Sequence, residues 1–406
     1  MKKILVIGSG MVGSAMALDM AKRYRVTVTD IQPAALENVR NRADALKMST
    51  FPASTHDSKN HKNGPSGNLE TQQLDITDSG ALRQALGKVD LAISAVPGFL
   101  GYRTLRTAIE AGRDIVDISF FPENALDLND MARQNKVTAI VDCGVAPGIG
   151  NLLLGYHDAR MTVTSFECLV GGLPVERRWP FSYKAPFSPA DVIEEYVRPA
   201  RLVENGRIVT REALSDPELI EFDGIGTLEA FNTDGLRTLI HTMPHIPDMK
   251  EKTLRYPGHI EYIRVLRACG FFGGEKVRVD DGTEVAPLAL TSKLLFDQWR
   301  LSDEEEEFTV MRVTIEDTDR KDAAPATKPV RKRITYNLLD RYCPETRTSS
   351  MARTTGYTAT AAANLLLDGL WAEKGVLPPE RIGSDETCFR YIMDYLAERG
   401  VHLTST

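Results

Sequence analysis

The stretch Lys3-Ile-Leu-Val-Ile-Gly-Ser-Gly-Met-Val-Gly13 decides how the rest of the chain is interpreted. Its apolar run, residues 4–7, consists of Leu and β-branched residues, which is typical of a strand buried on both faces of a parallel sheet. Glycines follow directly, and residues 11–24 then have the composition of a helix with Ala and Leu on one side. A strand, a glycine-rich turn and a helix in this order predict the start of a Rossmann-type, doubly wound parallel sheet.

The three glycines of this turn have separate geometric tasks. Gly8 is expected to make the tight turn, Gly10 to let a pyrophosphate approach the backbone, and Gly13 to let the helix close on the strand. A second strand ends in an acid, Asp30, about twenty residues later. A carboxylate there accepts from both ribose hydroxyls and repels a 2′-phosphate, so the pattern predicts NAD and not NADP. The alternative is a glycine turn in some other α/β fold.

Further nucleotide contacts are expected where later strands end, because ligands of such sheets bind along the carboxyl edge. Small residues at positions 94–98 would pass under the ribose on the nicotinamide side. The predicted cofactor-binding residues are Gly8, Ser9, Gly10, Met11, Val12, Gly13, Asp30, Ile31, Asp75, Ile76, Ser94, Ala95, Val96 and Pro97.

Bulk properties exclude several classes of protein. A chain of 406 residues is long for one domain and comfortable for two. The net charge of -7 argues against nucleic acid as a partner. No apolar run reaches membrane length and no signal peptide precedes the first strand, so we expect a soluble, cytosolic protein. The five cysteines are scattered without a CxxC pair, and His56 and His61 have no cysteines or paired acids nearby, so no metal site is predicted.

Strand and helix patterns alternate up to about residue 145, and we assign residues 1–145 to an NAD-binding Rossmann domain. Residues 48–68 interrupt this alternation and are expected to be a surface insertion. Residues 142–148 contain two glycines and a proline, which predicts an ordered turn that acts as a hinge between domains.

Beyond the turn the pattern changes. Residues 146–350 are predicted to form a substrate-binding and dimerisation domain of α+β class with a mostly antiparallel sheet, including a hairpin turn at Asn205-Gly206. Residues 317–329 are expected to be an exposed loop, and the acidic run 303–307 a solvated face. Residues 351–406 are predicted to be helices that return to the Rossmann domain, with a turn at 375–379.

Four segments resemble the saccharopine dehydrogenase family. They are Gly144-Val-Ala-Pro-Gly-Ile-Gly-Asn151, Phe231-Asn-Thr-Asp-Gly-Leu-Arg-Thr-Leu239, Lys252-Thr-Leu-Arg-Tyr-Pro-Gly-His259 and Ser350-Met-Ala-Arg-Thr-Thr-Gly356. The resemblance covers nearly the whole chain, and the chain length and Asp30 make it most similar to the lysine 6-dehydrogenase branch. It implies a homodimer or larger homo-oligomer, formed through the sheet of the second domain.

Hydride transfer between NAD and a carbon–nitrogen bond needs a cation for the substrate carboxylate, an acceptor for its ammonium group, and a base. For the base, Asp117, Asp142 and His259 compete. The predicted substrate-binding residues are Lys184, Asn232, Asp234, Arg237 and Arg255. A cation or an Asx turn of this kind is also common at ordinary structural positions, so both interpretations stay open for each of them.

The leading hypothesis is NAD-dependent oxidative deamination of the terminal amine of L-lysine, with release of ammonia and a semialdehyde that cyclises. The pocket would lie between the domains. A second hypothesis is a saccharopine-type or carboxynorspermidine-type enzyme that joins an amine to an aldehyde reductively. That substrate carries more carboxylates and needs more than one committed cation. A third is a non-catalytic protein that senses NAD.

Overall fold

A computed structural model describes residues 1–48, 68–302, 304–318 and 331–406. The expected insertion (residues 48–68, with His56 and His61) and the expected loop (residues 317–329) lie outside these residues apart from their ends. The chain divides into two compact units. The first comprises Met1–Tyr156, Cys343–Thr348 and Ala352–Val401, and the second comprises His157–Tyr342, Ser349–Met351 and His402–Thr406. No helix among the described residues is long and apolar enough to cross a membrane.

The first unit is built on a seven-stranded sheet in which all neighbouring strands are parallel. Its strands are β1 (Lys3–Ile7), β2 (Arg25–Asp30), β3 (Leu69–Gln73), β4 (Leu91–Ser94), β5 (Asp114–Asp117), β6 (Thr138–Ile140) and β17 (Gly375–Leu377). They lie in the order β17-β6-β5-β4-β1-β2-β3. The order reverses direction at β1, so the carboxyl ends of β1 and β4 flank a topological switch point, where ligands of such sheets bind.

Helices cover this sheet. They are α1 (Met11–Met20), α2 (Pro33–Met48), α3 (Ser79–Leu86), α4 (Gly98–Glu110), α5 (Asn129–Gln134), α6 (Ile149–Asp158), α11 (Ser350–Leu367), α12 (Pro379–Gly383) and α13 (Glu386–Glu398). Strands β1 and β4 are apolar and buried along most of their length, which suits a sheet covered on both faces. The predicted turn at residues 375–379 is wrong, because Gly375–Leu377 is an edge strand parallel to β6. Three residues are too few to show a period, and the partner strand lies far away in the sequence.

The second unit contains a nine-stranded sheet of predominantly antiparallel pairs. Its strands are β7 (Val163–Pro174), β8 (Ala200–Glu204), β9 (Arg207–Arg211), β10 (Glu218–Phe222), β11 (Gly226–Asn232), β12 (Asp248–Arg255), β15 (Glu307–Thr318), β16 (Arg331–Arg341) and β18 (Leu403–Ser405). Among the described strands of this second sheet, only β7 and β12 pair in parallel. A separate ribbon pairs β13 (Val277–Arg278) with β14 (Glu284–Val285). The helices are α7 (Pro189–Val197), α8 (Leu239–Thr242), α9 (His259–Ala268) and α10 (Pro287–Trp299).

The predicted fold class, a parallel Rossmann-type sheet with a second, mostly antiparallel α+β part, is confirmed. The Asn205-Gly206 hairpin is also confirmed, since both residues have positive φ values (51° and 74°) between the paired strands β8 and β9. The expectation that residues 303–307 form a solvated face is wrong for Glu307, which is 1% exposed. Its strand, β15, lies between β7 and β16 in the sheet interior, and the Ser350 amide donates to its carboxylate.

Candidate active site

The loop between β1 and α1 has the geometry that the glycine pattern predicts. Gly8 has a φ of 95°, and a Cβ placed there would lie 2.5 Å from the Ala95 carbonyl oxygen. A Cβ on Gly13 would lie 2.1 Å from the Gly8 carbonyl oxygen, so α1 packs directly on the loop. At Gly10, by contrast, no described heavy atom lies within 4 Å of an added Cβ. The close contacts therefore require two of the glycines, while the third presents open backbone.

That open backbone stands at the N-terminus of α1, which begins at Met11 and includes Val12 in its first turn. Among the described residues no side chain caps this end, and the first turn contains no acid. The leading N–H groups of a helix have no intrahelical partner and carry positive partial charge, so they bind phosphate well. These features fit a dinucleotide pyrophosphate, and the groups that would hold it are the Gly10 backbone and the first turn of α1.

Asp30, at the carboxyl end of β2, is tied to the same loop. Its Oδ2 atom accepts hydrogen bonds from the Ser9 amide (2.8 Å) and the Ser9 hydroxyl (2.9 Å). The Gln32 amide donates to Oδ1 at 2.9 Å. Ile31, the next residue, is 52% exposed. An acid with an exposed apolar neighbour at this position fits the adenosine half of a dinucleotide, with a ribose hydroxyl near the acid and the base near the apolar side chain.

The other predicted nucleotide contacts follow β3 and β4. Asp75 is exposed, and hydrogen bonds from the Thr77 hydroxyl (2.7 Å) and amide (2.9 Å) lower its pKa. Ile76 is half-buried. Ser94 ends β4 and is buried, and its Cα lies in register with Ile7 of β1 and Asp117 of β5. The remaining residues of this edge are Ala95, Val96 and Pro97, of which Val96 is buried.

Asp117, at the carboxyl end of β5, is completely buried. The Ser119 hydroxyl donates to its Oδ1 at 2.9 Å and the Ser119 amide to its Oδ2 at 3.1 Å. Burial raises the pKa of Asp117 to about 7, and the nearby charge of Asp142 adds to this, while the hydrogen bonds from Ser119 oppose it. A carboxyl group that titrates near neutrality at a nucleotide edge has the properties of an acid–base catalyst.

Asp142 and Cys143 lie next to Asp117. Asp142 is buried with a φ of 52°, a conformation that is uncommon for residues other than glycine. The Cys143 amide donates to the Asp117 carbonyl at 3.2 Å, which fixes the two strand ends together. Burial and the two nearby carboxylates raise the pKa of the Cys143 thiol. This cysteine is therefore a neutral thiol and not a thiolate nucleophile.

His259 belongs to a hydrogen-bonded chain inside the second unit. Arg255 Nε donates to the Tyr196 hydroxyl (3.1 Å), and this hydroxyl lies 2.9 Å from His259 Nε2. His259 Nδ1 lies 3.0 Å from the Phe181 carbonyl, which can only accept, so the proton sits on Nδ1 and Tyr196 donates to Nε2. Burial and the Arg255 charge lower the pKa of His259 to about 3. Both ring nitrogens are occupied and the ring is neutral, so we do not assign His259 as the base.

Arg255 and Lys184 are paired within the second unit. Arg255 donates to Glu195 at 2.6 Å and to the Leu254 carbonyl at 2.9 Å, and is 2% exposed. Lys184 donates to the Arg300 carbonyl at 3.0 Å and lies 3.6 Å from Glu305. Both cations therefore have carboxylate neighbours of their own.

The segment from Asn232 to Arg237 contains the other three predicted substrate residues. Asp234 accepts a bidentate pair of hydrogen bonds from Arg201, both at 2.8 Å. The Asn232 amide group donates to Asp216 at 2.7 Å, and its buried Oδ1 has no partner among the described residues. Arg237 is 6% exposed with a φ of 48°. These residues are near one another in the sequence. The buried Oδ1 of Asn232 and the strained backbone of Arg237 are features that suit a ligand site.

Sequence reasoning missed Ser119, Glu195 and Tyr196. Ser119 stands two residues after Asp117, and an Asx-type turn after a strand is a local signal that could have identified it. Glu195 and Tyr196 are on α7, and they meet Arg255 only in the folded unit. No spacing in the sequence indicates those contacts.

Family models match both parts of the chain. The saccharopine dehydrogenase NADP binding domain matches residues 4–140, and the saccharopine dehydrogenase C-terminal domain matches residues 144–401. The chain belongs to the saccharopine dehydrogenase family. The resemblance found in the sequence is thereby confirmed at family level.

Two groups of relatives are similar to this family member. A saccharopine dehydrogenase (NADP⁺, L-glutamate-forming) from Saccharomyces cerevisiae is 26% identical over 70% of this chain, and the match spans 60% of the yeast protein. The chain thus spans less than two-thirds of such relatives. Carboxynorspermidine synthase from Vibrio cholerae is 24% identical, with 94% of this chain and 92% of that protein covered. Carboxyaminopropylagmatine dehydrogenase from Synechocystis is 23% identical, with 95% and 94% covered.

The fold also matches a solved structure. Apo saccharopine dehydrogenase (L-Glu forming) from Saccharomyces cerevisiae superposes with a TM-score of 0.74 at 20% identity, covering 100% of this chain and 99% of that one. This likeness concerns the fold.

Proposed function

We propose that this family member is an NAD-dependent dehydrogenase that oxidises the terminal carbon–nitrogen bond of L-lysine and releases ammonia and the semialdehyde. The observation that carries the proposal is Asp117, a buried carboxyl with a pKa of about 7 at the same sheet edge as the nucleotide loop. A base of that pKa can hold a proton or release it near neutral pH, as amine oxidation requires.

NAD bound at this edge supplies the hydride acceptor. Asp117 takes the proton that the reacting amine loses as its carbon is oxidised, and Ser119 keeps the carboxylate oriented through its two hydrogen bonds. Because the carboxyl is buried, bulk water is excluded around it while the imine forms. Water then adds to the imine carbon, ammonia leaves, and the aldehyde is free to cyclise with the α-amine. We propose Asp142 as the neighbour that keeps Asp117 basic by its charge.

The proposed carboxylate contact is chosen for its burial and backbone conformation. Arg255 forms an ion pair with Glu195, and Lys184 donates to the Arg300 carbonyl and lies near Glu305. We assign the lysine carboxylate to Arg237, which is buried and held in an unusual backbone conformation, and place Asn232 beside it as a polar contact. Asp234, paired with Arg201, orders the segment between them.

A second candidate is the coupling chemistry of a secondary amine with an aldehyde. The relatives of similar length favour it, because the Vibrio protein is a carboxynorspermidine synthase and the Synechocystis protein is a carboxyaminopropylagmatine dehydrogenase. Saccharopine is a substrate of the same kind, since oxidation at its nitrogen yields the same semialdehyde with glutamate in place of ammonia.

The experiment measures NADH formation at alkaline pH with L-lysine, saccharopine and carboxynorspermidine in separate reactions. High pH removes the proton from the amine, whose ordinary pKa is about 10.4 in lysine. We expect NADH and ammonia in equal amounts from lysine. NADH from saccharopine with glutamate and no ammonia, or turnover of carboxynorspermidine alone, would move the assignment to the second candidate. Bound NADH with no turnover of any amine would contradict both and favour an NAD sensor.

The proposed coenzyme gives a separate prediction. Replacing Asp30 with glycine and Ile31 with arginine removes a charge that repels the 2′-phosphate and adds one that attracts it. We expect the ratio of kcat/KM for NAD to that for NADP to fall at least about thirtyfold, as the two changes each contribute on the order of 1–2 kcal/mol. The Ile31→Leu variant is the matched control and should leave the ratio unchanged. An unaltered ratio in the double variant would mean that other residues read the adenosine ribose.

A further inference from the structure

The Asp30 carboxylate is held from two sides. The Ser9 amide and hydroxyl both donate to Oδ2, at 2.8 and 2.9 Å, and the Gln32 amide donates to Oδ1 at 2.9 Å. Ser9 itself is 4% exposed, and its carbonyl accepts from the Ser14 hydroxyl at 2.8 Å. The glycine-rich loop and the acid at the end of β2 thus form one hydrogen-bonded unit.

We propose that Ser9 is a positioning residue that sets the choice between NAD and NADP by holding Asp30 in one orientation. The inference rests on the coenzyme part of the proposed function and is independent of the amine substrate. An aspartate at a strand end ordinarily samples three χ1 wells and can turn away from an incoming anion. With Oδ2 bound twice to Ser9, Asp30 cannot turn away without breaking those bonds.

The hydrogen-bond capacity of the carboxylate explains the consequence. An ionised carboxylate has about four acceptor positions. Ser9 uses two of them on Oδ2 and Gln32 uses one on Oδ1, which leaves a position on Oδ1 for a ribose hydroxyl. A 2′-phosphate is mostly dianionic near neutral pH, because its second pKa is about 6, so it repels the carboxylate. The fixed carboxylate therefore favours binding of a ribose hydroxyl and disfavours binding of a 2′-phosphate.

The serine hydroxyl is the part of this arrangement that a substitution can remove. Ser9→Ala keeps the backbone N–H that donates to Asp30 and loses the hydroxyl donor. Hydrogen bonds to charged groups are the stronger class. Because one of the two Ser9 contacts remains, we expect the ratio of the NADPH to the NADH dissociation constant to fall about tenfold.

The experiment titrates purified full-length protein with NADH and NADPH and follows the fluorescence of the nicotinamide, without any amine. Ser14→Ala is the matched control, since it removes a hydroxyl of the adjoining helix α1 whose hydrogen bond goes to the Ser9 carbonyl and not to Asp30. It should leave the ratio unchanged. In an Asp30→Ala background, Ser9→Ala should no longer change the ratio, because a positioning residue acts through its partner.

Three results would overturn the inference: an unchanged ratio in Ser9→Ala, the same tenfold change in the Asp30→Ala background, or tighter binding of NADPH than of NADH by the unmodified protein. If Ser9→Ala does not fold, as judged by circular dichroism, Ser9→Cys keeps the size and supplies a weaker donor. It should lower the ratio by a smaller factor, and no change would again contradict the role of Ser9. Binding of NADH with the expected ratios but without amine turnover would contradict the proposed reaction alone.

Discussion

Replacing Asp117 with asparagine should lower kcat for oxidation of the amine substrate by a factor of about 10² to 10⁴, the usual contribution of a general base. The change preserves the shape of the side chain and leaves it unable to take a proton. In the unmodified enzyme, activity should rise with pH through about 7, where Asp117 loses its proton, and this limb of the profile should be absent from the variant. The measurement is steady-state kinetics from pH 5.5 to 10.

Loss of folding would not explain such a result. Because the folded-state pKa of Asp117 is raised, its contribution to stability is present below the ordinary pKa and is lost as the pH rises through about 7. Asp117→Asn should therefore melt no lower than the unmodified protein at pH 8. Asp130→Asn, an exposed carboxyl in α5, is the control and should keep full activity.

Substitutions at Asp142 and Ser119 test whether Asp117 or Asp142 is the base. If Asp142 were the base, Asp142→Asn would abolish the pH-dependent limb and Asp117→Asn would not. Ser119→Ala removes the hydroxyl that donates to Asp117 at 2.9 Å and favours its ionised form, while the contact from the backbone amide remains. If Asp117 is the base, the pH at which activity rises should then increase. If Asp117 is not the base, that pH should not change.

The geometry of the glycine-rich loop could be predicted from the sequence because its determinants are local. Gly8 and Gly13 lie close together in the sequence, in the loop and at the start of α1. Each must be glycine because a Cβ would collide with a neighbouring backbone carbonyl. Asp30 is recognised by its place at the end of a strand. Asp117 is recognised in the same way, although its environment, which sets its pKa, is not visible in a strand pattern.

The second unit was harder to predict, since charged residues there can bind a ligand or each other. Arg255 pairs with Glu195 sixty positions earlier, and Asp234 with Arg201 thirty-three positions earlier. The residue types are the same in either role. His259 shows the same ambiguity, because a histidine in a turn becomes a neutral, doubly bonded ring only through contacts with Tyr196 and Phe181.

Local sequence patterns also do not reveal the contacts by which the C-terminal helices bind α1. Asp19 in α1 is buried, with a side chain 1% exposed, and accepts from Arg399 Nε at 3.0 and 2.9 Å. Tyr395 donates to it at 2.6 Å and Thr360 at 2.8 Å. Burial alone would raise the pKa of Asp19, but the charges of Lys22 and Arg399 and hydrogen bonds from Arg399 and Tyr395 outweigh it and lower the pKa.

Arg399→Met should therefore reduce the free energy of unfolding by about 3–5 kcal/mol at pH 7, since it leaves a buried carboxylate without its main partner. Arg390→Met is the matched control, because Arg390 lies in α13, the helix that ends directly before Arg399, in an exposed pair with Glu386. Its substitution should cost less than about 1 kcal/mol. Urea unfolding followed by circular dichroism measures both. A variant at position 399 that is as stable as the control would contradict the role assigned to this pair.

The pH dependence follows from the sign of the Asp19 shift. A lowered pKa contributes stability that is present above the ordinary value, near 3.9, and is lost as the pH falls through the folded-state value. The difference between the unmodified protein and Asp19→Asn should therefore be largest near neutrality and shrink in acid. In the Arg399→Met background the same Asn substitution removes a buried charge that has lost its Arg399 partner and keeps an acceptor oxygen for Tyr395 and Thr360, so it should restore part of the lost stability.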